Sequence, residues 1–434
     1  MIVNIVCELL PREYENAILL QAELTKRGHK VNLYKKDEDI AFNRCDVLLI
    51  PNGYNSRDYE WYCKLYGGVN ANVISLQYEQ VFTKKDEDSK YLVPSGKAKN
   101  AKWLCWGKRP YHRMLENGID ESQLTIVGSI QMDCLRDEFK SYWLTKEKLA
   151  DIYKIDKKKT WMLFISSFAY VENDFMKDAL DKTFGEHSYD NFCDISERSQ
   201  RMLLDWFEKY IIMNPDVCLI YRPHPIEANS VALKRLVEKY PKAFYVISDL
   251  SVKQLIIVSD VILTWYSTSI AECYKAKKNA IILRPVNIPE YEDVTMFIGA
   301  KMVTSFDDMV TSICNYKNSD FPIEEKMITA YYESFEKPTY KMIADYVEEN
   351  NTKLYIQNYD GLIKNIVFKY FTGLKFLLKK LYIQWYYLTS CAITNKRLRK
   401  KLNLSGLEVR AMTLHKVDYK EQKNILTKIV NEID

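Results

Sequence analysis

The feature that most constrains this chain is an alternation of short apolar runs with amphipathic stretches, present in both halves. Ile2-Val-Asn-Ile-Val is followed by an amphipathic run from Tyr14 to Arg27, then by Gly28 and Lys30-Val-Asn-Leu-Tyr. A strand, a helix closed by glycine and a second strand make a βαβ unit, whose strands run parallel. Cys45 to Pro51, Asn72 to Leu76, Ala101 to Gly107 and Leu124 to Ser129 extend the first set of strands. A second set opens at Trp161-Met-Leu-Phe-Ile-Ser-Ser and continues with strands from Val217, Ala243, Val261 and Ala280, between helices predicted over 196–214, 228–240, 251–258 and 269–276. Over 434 residues this pattern predicts an α/β protein of two doubly wound lobes facing a cleft. We expect a first lobe over 1–140, a Lys-rich connection over 141–160 and a second lobe over 161–320. A helical return segment over 321–355 and a basic amphipathic helical appendage over 356–434 follow.

Composition narrows the class. The ten cysteines are scattered singly, without a CxxC pair or a zinc-spaced His, which points to reduced, mostly buried thiols. The N-terminus lacks the basic region, apolar stretch and cleavage site of a signal peptide, so the chain is expected in the cytoplasm. No stretch has the ~18–20 uncharged apolar residues of a membrane span. Residues 361 to 401 nonetheless carry ten Lys/Arg and no Asp/Glu. There, on a helix, Leu374, Leu377, Leu378, Leu381, Trp385 and Leu388 share one stripe flanked by Lys375 and Lys379, the pattern of an anionic-membrane contact. The alternative is a helical pair docked on the lobes. Nucleic acid is disfavoured, because the aromatic residues are embedded among Leu and Ile.

Two segments carry the candidate chemistry. In Leu219-Ile-Tyr-Arg-Pro-His-Pro-Ile-Glu227 a strand delivers Arg222 and His224 to its C-terminal rim, and two prolines fix the loop. Arg222 offers a fork to phosphate oxygens, and His224 can donate to a phosphate or assist a leaving group. In Asp260 to Glu272, Ser267, Thr268 and Ser269 lead from a strand into a helix, so hydroxyls and free backbone N–H groups are expected to meet at a positive helix end. An ordinary N-cap is the alternative, and Glu272 can close a capping box with Ser269. Neither Gly-x-Gly-x-x-Gly nor a P-loop motif occurs. Asp37-Glu-Asp39 and Asp86-Glu-Asp88 stand among lysines and read as solvated loops, so metal independence is expected.

On Arg222-Pro-His-Pro, Trp265-Tyr-Ser-Thr-Ser-Ile-Ala-Glu272, Leu104-Cys-Trp-Gly107, Val127-Gly128-Ser129 and Asp133, the sequence resembles bacterial surface-polysaccharide transferases of GT-B fold. These include CMP-ulosonate glycosyltransferases and CDP-glycerol or CDP-ribitol phosphotransferases. The resemblance implies a nucleotide-activated donor in the second lobe, with His224, Arg222 and Ser267 to Ser269 at its phosphate and no further cofactor. It implies a glycan or lipid-linked acceptor on the first lobe, at the inner face of the cell membrane. Relatives often place Gln-His-Gly after the fourth strand. This chain has Gln77-Tyr78-Glu79-Gln80, which makes Glu79 the candidate base. A cytidine-dependent glycosyltransferase is the leading expectation and a polyol-phosphate transferase its alternative. A nucleotide-sugar epimerase and a non-catalytic capsule-assembly partner are further alternatives.

Overall fold

The computed structural model describes residues 1–8, 10–67, 71–227, 230–350, 360–389, 393 and 419–433. Its first sheet contains β1 (Ile2–Cys7), β2 (Lys30–Lys35), β3 (Val47–Ile50), β4 (Asn72–Ser75), β5 (Lys102–Cys105) and β6 (Leu124–Ile126), in the order β2-β1-β3-β4-β5-β6. The second contains β7 (Thr160–Ile165), β8 (Val217–Arg222), β9 (Phe244–Val246), β10 (Val261–Thr264), β11 (Ile281–Leu283) and β12 (Met302–Val303), in the order β12-β11-β10-β7-β8-β9. All strand pairs are parallel. The central strands are apolar along their length because helices cover both faces, as β3 (Val-Leu-Leu-Ile, all four buried) and β10 illustrate. Strand order reverses between β1 and β3 in one sheet and between β7 and β10 in the other. Crevices for ligands open outside the carboxyl ends of strands at such points.

The helices are α1 (Leu10–Lys26), α2 (Ser56–Tyr62), α3 (Lys84–Asp88), α4 (Lys108–Glu116), α5 (Lys146–Tyr153), α6 (Asp174–Phe184), α7 (Asp190–Met213), α8 (Val231–Lys239), α9 (Val252–Val258), α10 (Ile270–Lys275), α11 (Phe306–Cys314), α12 (Glu325–Tyr331), α13 (Thr339–Glu349), α14 (Asp360–Thr389) and α15 (Tyr419–Glu432). The stretch expected as a connection, 141–160, holds α5, whose Leu149 and Ala150 pack with Ile155 into the core of the second lobe. The return segment crosses to the first lobe. Arg27 of the α1 end pairs with Asp345 at 2.8 Å and Glu348 at 2.9 Å on α13. Asp133 accepts from the Thr339 and Tyr340 N–H groups at 3.0 and 2.7 Å, capping α13. Gly128, at φ +81°, sits where a Cβ would come within 3.0 Å of the Glu333 carbonyl oxygen. The nine described cysteines are all unpaired, and six of them are buried.

Contacts on two sides join the lobes. Lys253 on α9 meets Glu15 on α1 at 2.6 Å, with both side chains buried. Tyr142 Oη donates to the same carboxylate at 3.0 Å, and Lys253 Nζ donates to the Gln131 carbonyl at 3.2 Å. On another side, Asp86 accepts from Tyr189 Oη at 2.7 Å and Lys85 pairs with Glu292 at 3.1 Å. The expected solvated loop around Asp86 is therefore an inter-lobe joint. Next to it, Thr295 N and Oγ1 donate to the Phe82 carbonyl at 3.0 and 2.8 Å.

Residues 361–389 lie on α14. It docks through Phe376 and Lys369, whose Nζ donates to the Ala41 carbonyl, while every member of the stripe Leu374 to Leu388 is exposed. The rest of the basic segment, residues 390–401, lies outside the described residues except for Ile393. No described helix is long and apolar enough to cross a membrane.

Removing one partner of a buried ion pair strands the other charge, whereas replacing both with apolar groups of similar volume is near neutral. Lys253→Ala is expected to cost about 3–5 kcal/mol in chemical denaturation, and the Lys253→Met/Glu15→Met double variant much less.

Candidate active site

The Arg-Pro-His-Pro loop is fixed from below by Glu227. Its carboxylate accepts from Tyr221 Oη at 2.6 Å, Ser166 Oγ at 2.6 Å, the His224 backbone N–H at 2.9 Å and Gln200 Nε2 at 3.3 Å. With the prolines already limiting φ, these bonds hold the loop backbone that carries the imidazole. Nδ1 accepts from the Ile226 N–H at 3.4 Å, which puts the proton of the neutral ring on Nε2. Burial pulls the His224 pKa down to about 4, and Arg222 and Arg12 push the same way. At neutral pH this ring is an uncharged donor in cationic surroundings, suited to an anionic oxygen.

Arg222 is less available than its position suggested. Nε donates to the Leu250 carbonyl at 3.2 Å and Nη1 to the Pro223 carbonyl, so the expected free fork is partly committed to the backbone. Burial lowers its pKa to about 10, opposed by Asp249 and Glu227.

From the first lobe the partner is Arg12, which sequence reasoning missed. It lies in the first turn of α1, after β1, on the rim where strand order reverses. One nitrogen meets Glu79 at 3.0 Å and another meets Glu13 at 3.0 Å. Burial disfavours its charge, but the two carboxylates outweigh that and hold its pKa above the ordinary value. Glu79 stands beyond β4 with its side chain half exposed, so the candidate base is reachable from solvent yet pinned by Arg12. Arg12 thus pairs with Glu79, and its charge reaches His224 across the cleft as a small contribution to that ring's lowered pKa. Only the position of Leu10-Pro-Arg-Glu13 immediately after a first strand could have signalled it.

At the other rim of the second lobe the expectation needs correction. Helix α10 has six residues, and its N-cap Ser269 makes no side-chain cap, so the Ser269–Glu272 capping box does not form. The backbone N–H groups are mostly engaged: Ser267 with Thr264 Oγ1 (3.3 Å), Ser269 with Ser267 Oγ (3.2 Å), and Ile270 and Ala271 with the Ser267 and Thr268 carbonyls. What remains for a ligand is hydroxyls more than amides. Thr268 also hydrogen-bonds to Tyr332 of the return segment. Glu272 is buried, with its pKa raised to about 7 by desolvation, a rise that Lys253 and a backbone N–H restrain. Lys253 therefore answers carboxylates on both lobes. Behind the loop, Arg284 pairs with Asp293 at 2.9 Å beneath Trp265 and Tyr266. Among the described residues no group of three His, Cys, Asp or Glu is placed to hold a metal ion.

Two sheets with their carboxyl ends opposed, joined by a return helix, can be compared with known proteins. No family model matches the chain, and no curated protein matches it in sequence. Solved structures do. The UDP-GlcNAc 2-epimerase of Methanocaldococcus jannaschii aligns with a TM-score of 0.52 at 14% identity, over 81% of this chain and 100% of that one. The Neisseria meningitidis UDP-GlcNAc 2-epimerase bound to UDP-GlcNAc gives 0.51 at 11% identity, over 81% and 100%. The wall teichoic acid polymerase TagF gives 0.49 at 11%, over 80% and 88%. The chain has a GT-B-like fold. At these identities the likeness concerns the fold.

A carboxyl group whose pKa is raised in the folded state binds protons that the unfolded chain releases, so stability falls as pH climbs from the ordinary value near 4.5 to about 7. Glu272→Gln removes that penalty. It is expected to be more stable than the parent at pH 8, on the order of 1–3 kcal/mol, with the difference closing toward pH 4.5 in melting curves.

Proposed function

We propose that the chain is an enzyme acting on a nucleotide-activated sugar, breaking the bond between the sugar and the nucleotide phosphate and transferring the glycosyl group to an acceptor hydroxyl. The observation that carries this reading is the neutral His224, its backbone held by Glu227, with Nε2–H as donor and the Arg12 charge of the opposite lobe acting on it. A leaving phosphate gains negative charge as the bond breaks, and a fixed donor in cationic surroundings stabilises that charge without reorganising. Arg12 and the Ser267 to Ser269 hydroxyls supply further contacts, and Arg222 adds positive potential more than a free fork. Glu79 takes the acceptor proton once substrate draws Arg12 toward the phosphate. The donor is a CMP-activated ulosonic acid in the leading form of this proposal. Polyol-phosphate transfer from CDP-glycerol or CDP-ribitol would use the same groups on a phosphorus centre.

The exposed stripe of α14, with lysines and no carboxylates over 361–389, favours a membrane-borne acceptor. Burial of such a stripe in the headgroup region keeps the chain peripheral, and its acceptor is then a lipid-linked or growing surface glycan. A second reading, epimerisation of a nucleotide sugar without an acceptor, is favoured by the solved 2-epimerases, one of them bound to UDP-GlcNAc.

Turnover assays with CMP-ulosonates, CDP-polyols and UDP-sugars, each with and without acceptor, separate these readings. Transfer predicts product only with acceptor, and a new sugar formed from donor alone overturns it in favour of epimerisation. His224→Ala is expected to lower kcat at least ~100-fold, and near-normal turnover would remove His224 from the mechanism. Leu377→Glu/Leu381→Glu is expected to abolish co-sedimentation with anionic liposomes while sparing turnover on a soluble acceptor.

A further inference from the structure

A second cavity lies away from the cleft, at the hinge where the first lobe, the end of α10 and the return segment meet. It has a volume of about 760 Å³, in the range of small-ligand sites. Arg12, Glu79, Arg222, His224 and the Ser267 to Ser269 cluster are not among its walls. Two of its polar wall atoms lack a hydrogen-bond partner among the described residues: Ser129 Oγ, on a residue only 3% exposed, and the buried Glu333 Oε2. A buried polar atom left unpaired is costly, so a cavity with two of them is short of a ligand that both donates and accepts.

The chemistry of the walls narrows that ligand. Four cationic side chains face five acidic ones, so there is no surplus charge to hold an anion. Three of the four cations are also engaged. Arg136 meets Glu138 at 3.1 Å and the Phe335 carbonyl at 3.3 Å, Lys275 donates to Ser334 Oγ at 3.0 Å, and Lys278 donates to the Ser259 carbonyl at 3.1 Å. Four aromatic rings complete the walls: Tyr274 and Phe321, edge to face at 5.2 Å, with Tyr332 and Phe335. Carboxylate and hydroxyl groups without partners beside aromatic faces suit a molecule with many hydroxyls and an apolar C–H face.

We propose that this hinge cavity is a binding site for a neutral saccharide, with Glu333 accepting a sugar hydroxyl, Ser129 Oγ sharing another, and Phe335 with Tyr274 packing on the ring faces. The site is separate from the cleft and stands whether the cleft chemistry is transfer or epimerisation. It also has a route to the cleft: Tyr332, in its wall, bonds Thr268 at the far end of α10.

The test uses the full chain and a panel of neutral mono- to trisaccharides of hexose, deoxyhexose and N-acetylhexosamine units, with inorganic phosphate and CDP as anionic probes. Binding is measured by calorimetry and placed by hydrogen exchange. At least one saccharide is expected to bind and to protect 129–138, 271–279 and 325–339, with affinity reduced at least tenfold by Glu333→Gln and by Phe335→Ala. Glu333→Gln keeps the side-chain volume, so it reports even where Phe335→Ala fails to fold. Binding by no saccharide, protection elsewhere, unchanged affinity in Glu333→Gln, or protection of these segments by the anionic probes alone would each overturn the proposal.

Discussion

The buried contact between Lys253 and Glu15 is the interaction on which the rest of the arrangement depends. A lysine and a glutamate removed from water are unfavourable alone and tolerable only together, so the pair fixes α9 against α1 on this side of the interface. Glu15 lies one turn beyond Arg12 on α1, and Lys253 also stands in the field of Glu272 on α10. The same contact thereby helps to bring Arg12 to where its charge acts on His224. The Phe82–Thr295 and Asp86–Tyr189 contacts hold the loop bearing Glu79 from its other end.

Most of the fold was legible because doubly wound lobes write themselves in short apolar strands and glycine-closed helices. Elements without such marks were missed: β12 has two residues, and the helix over 174–184 is largely polar. The stretch 141–160 read as a connection because its lysines dominate the pattern, although Leu149, Ala150 and Ile155 give α5 a core face.

The site was legible in part. Arg222 and His224 lie on one strand end, and prolines announce a fixed loop, so their placement followed from local chemistry. What the loop rests on followed only in part: Tyr221 and the His224 N–H lie in the same segment as Glu227, but Ser166 and Gln200 come from other elements and reach it only in the fold. The Ser267 to Ser269 segment shows the opposite error. Hydroxyls before a helix suggest free amides, but the Thr264 and Ser267 hydroxyls accept from the Ser267 and Ser269 N–H groups, as Ser and Thr often do at short turns. Arg12 escaped notice because a single arginine after a strand has no motif, and its importance comes from facing the other lobe.

In the proposed function the nucleotide phosphate sits between His224 and Arg12. An experimental structure of the chain with a cytidine or uridine nucleotide is the sharpest check. A phosphate oxygen is expected within about 3 Å of His224 Nε2, with Arg12 turned toward it. A nucleotide bound with its phosphates remote from both residues, for instance in the hinge cavity, would contradict it.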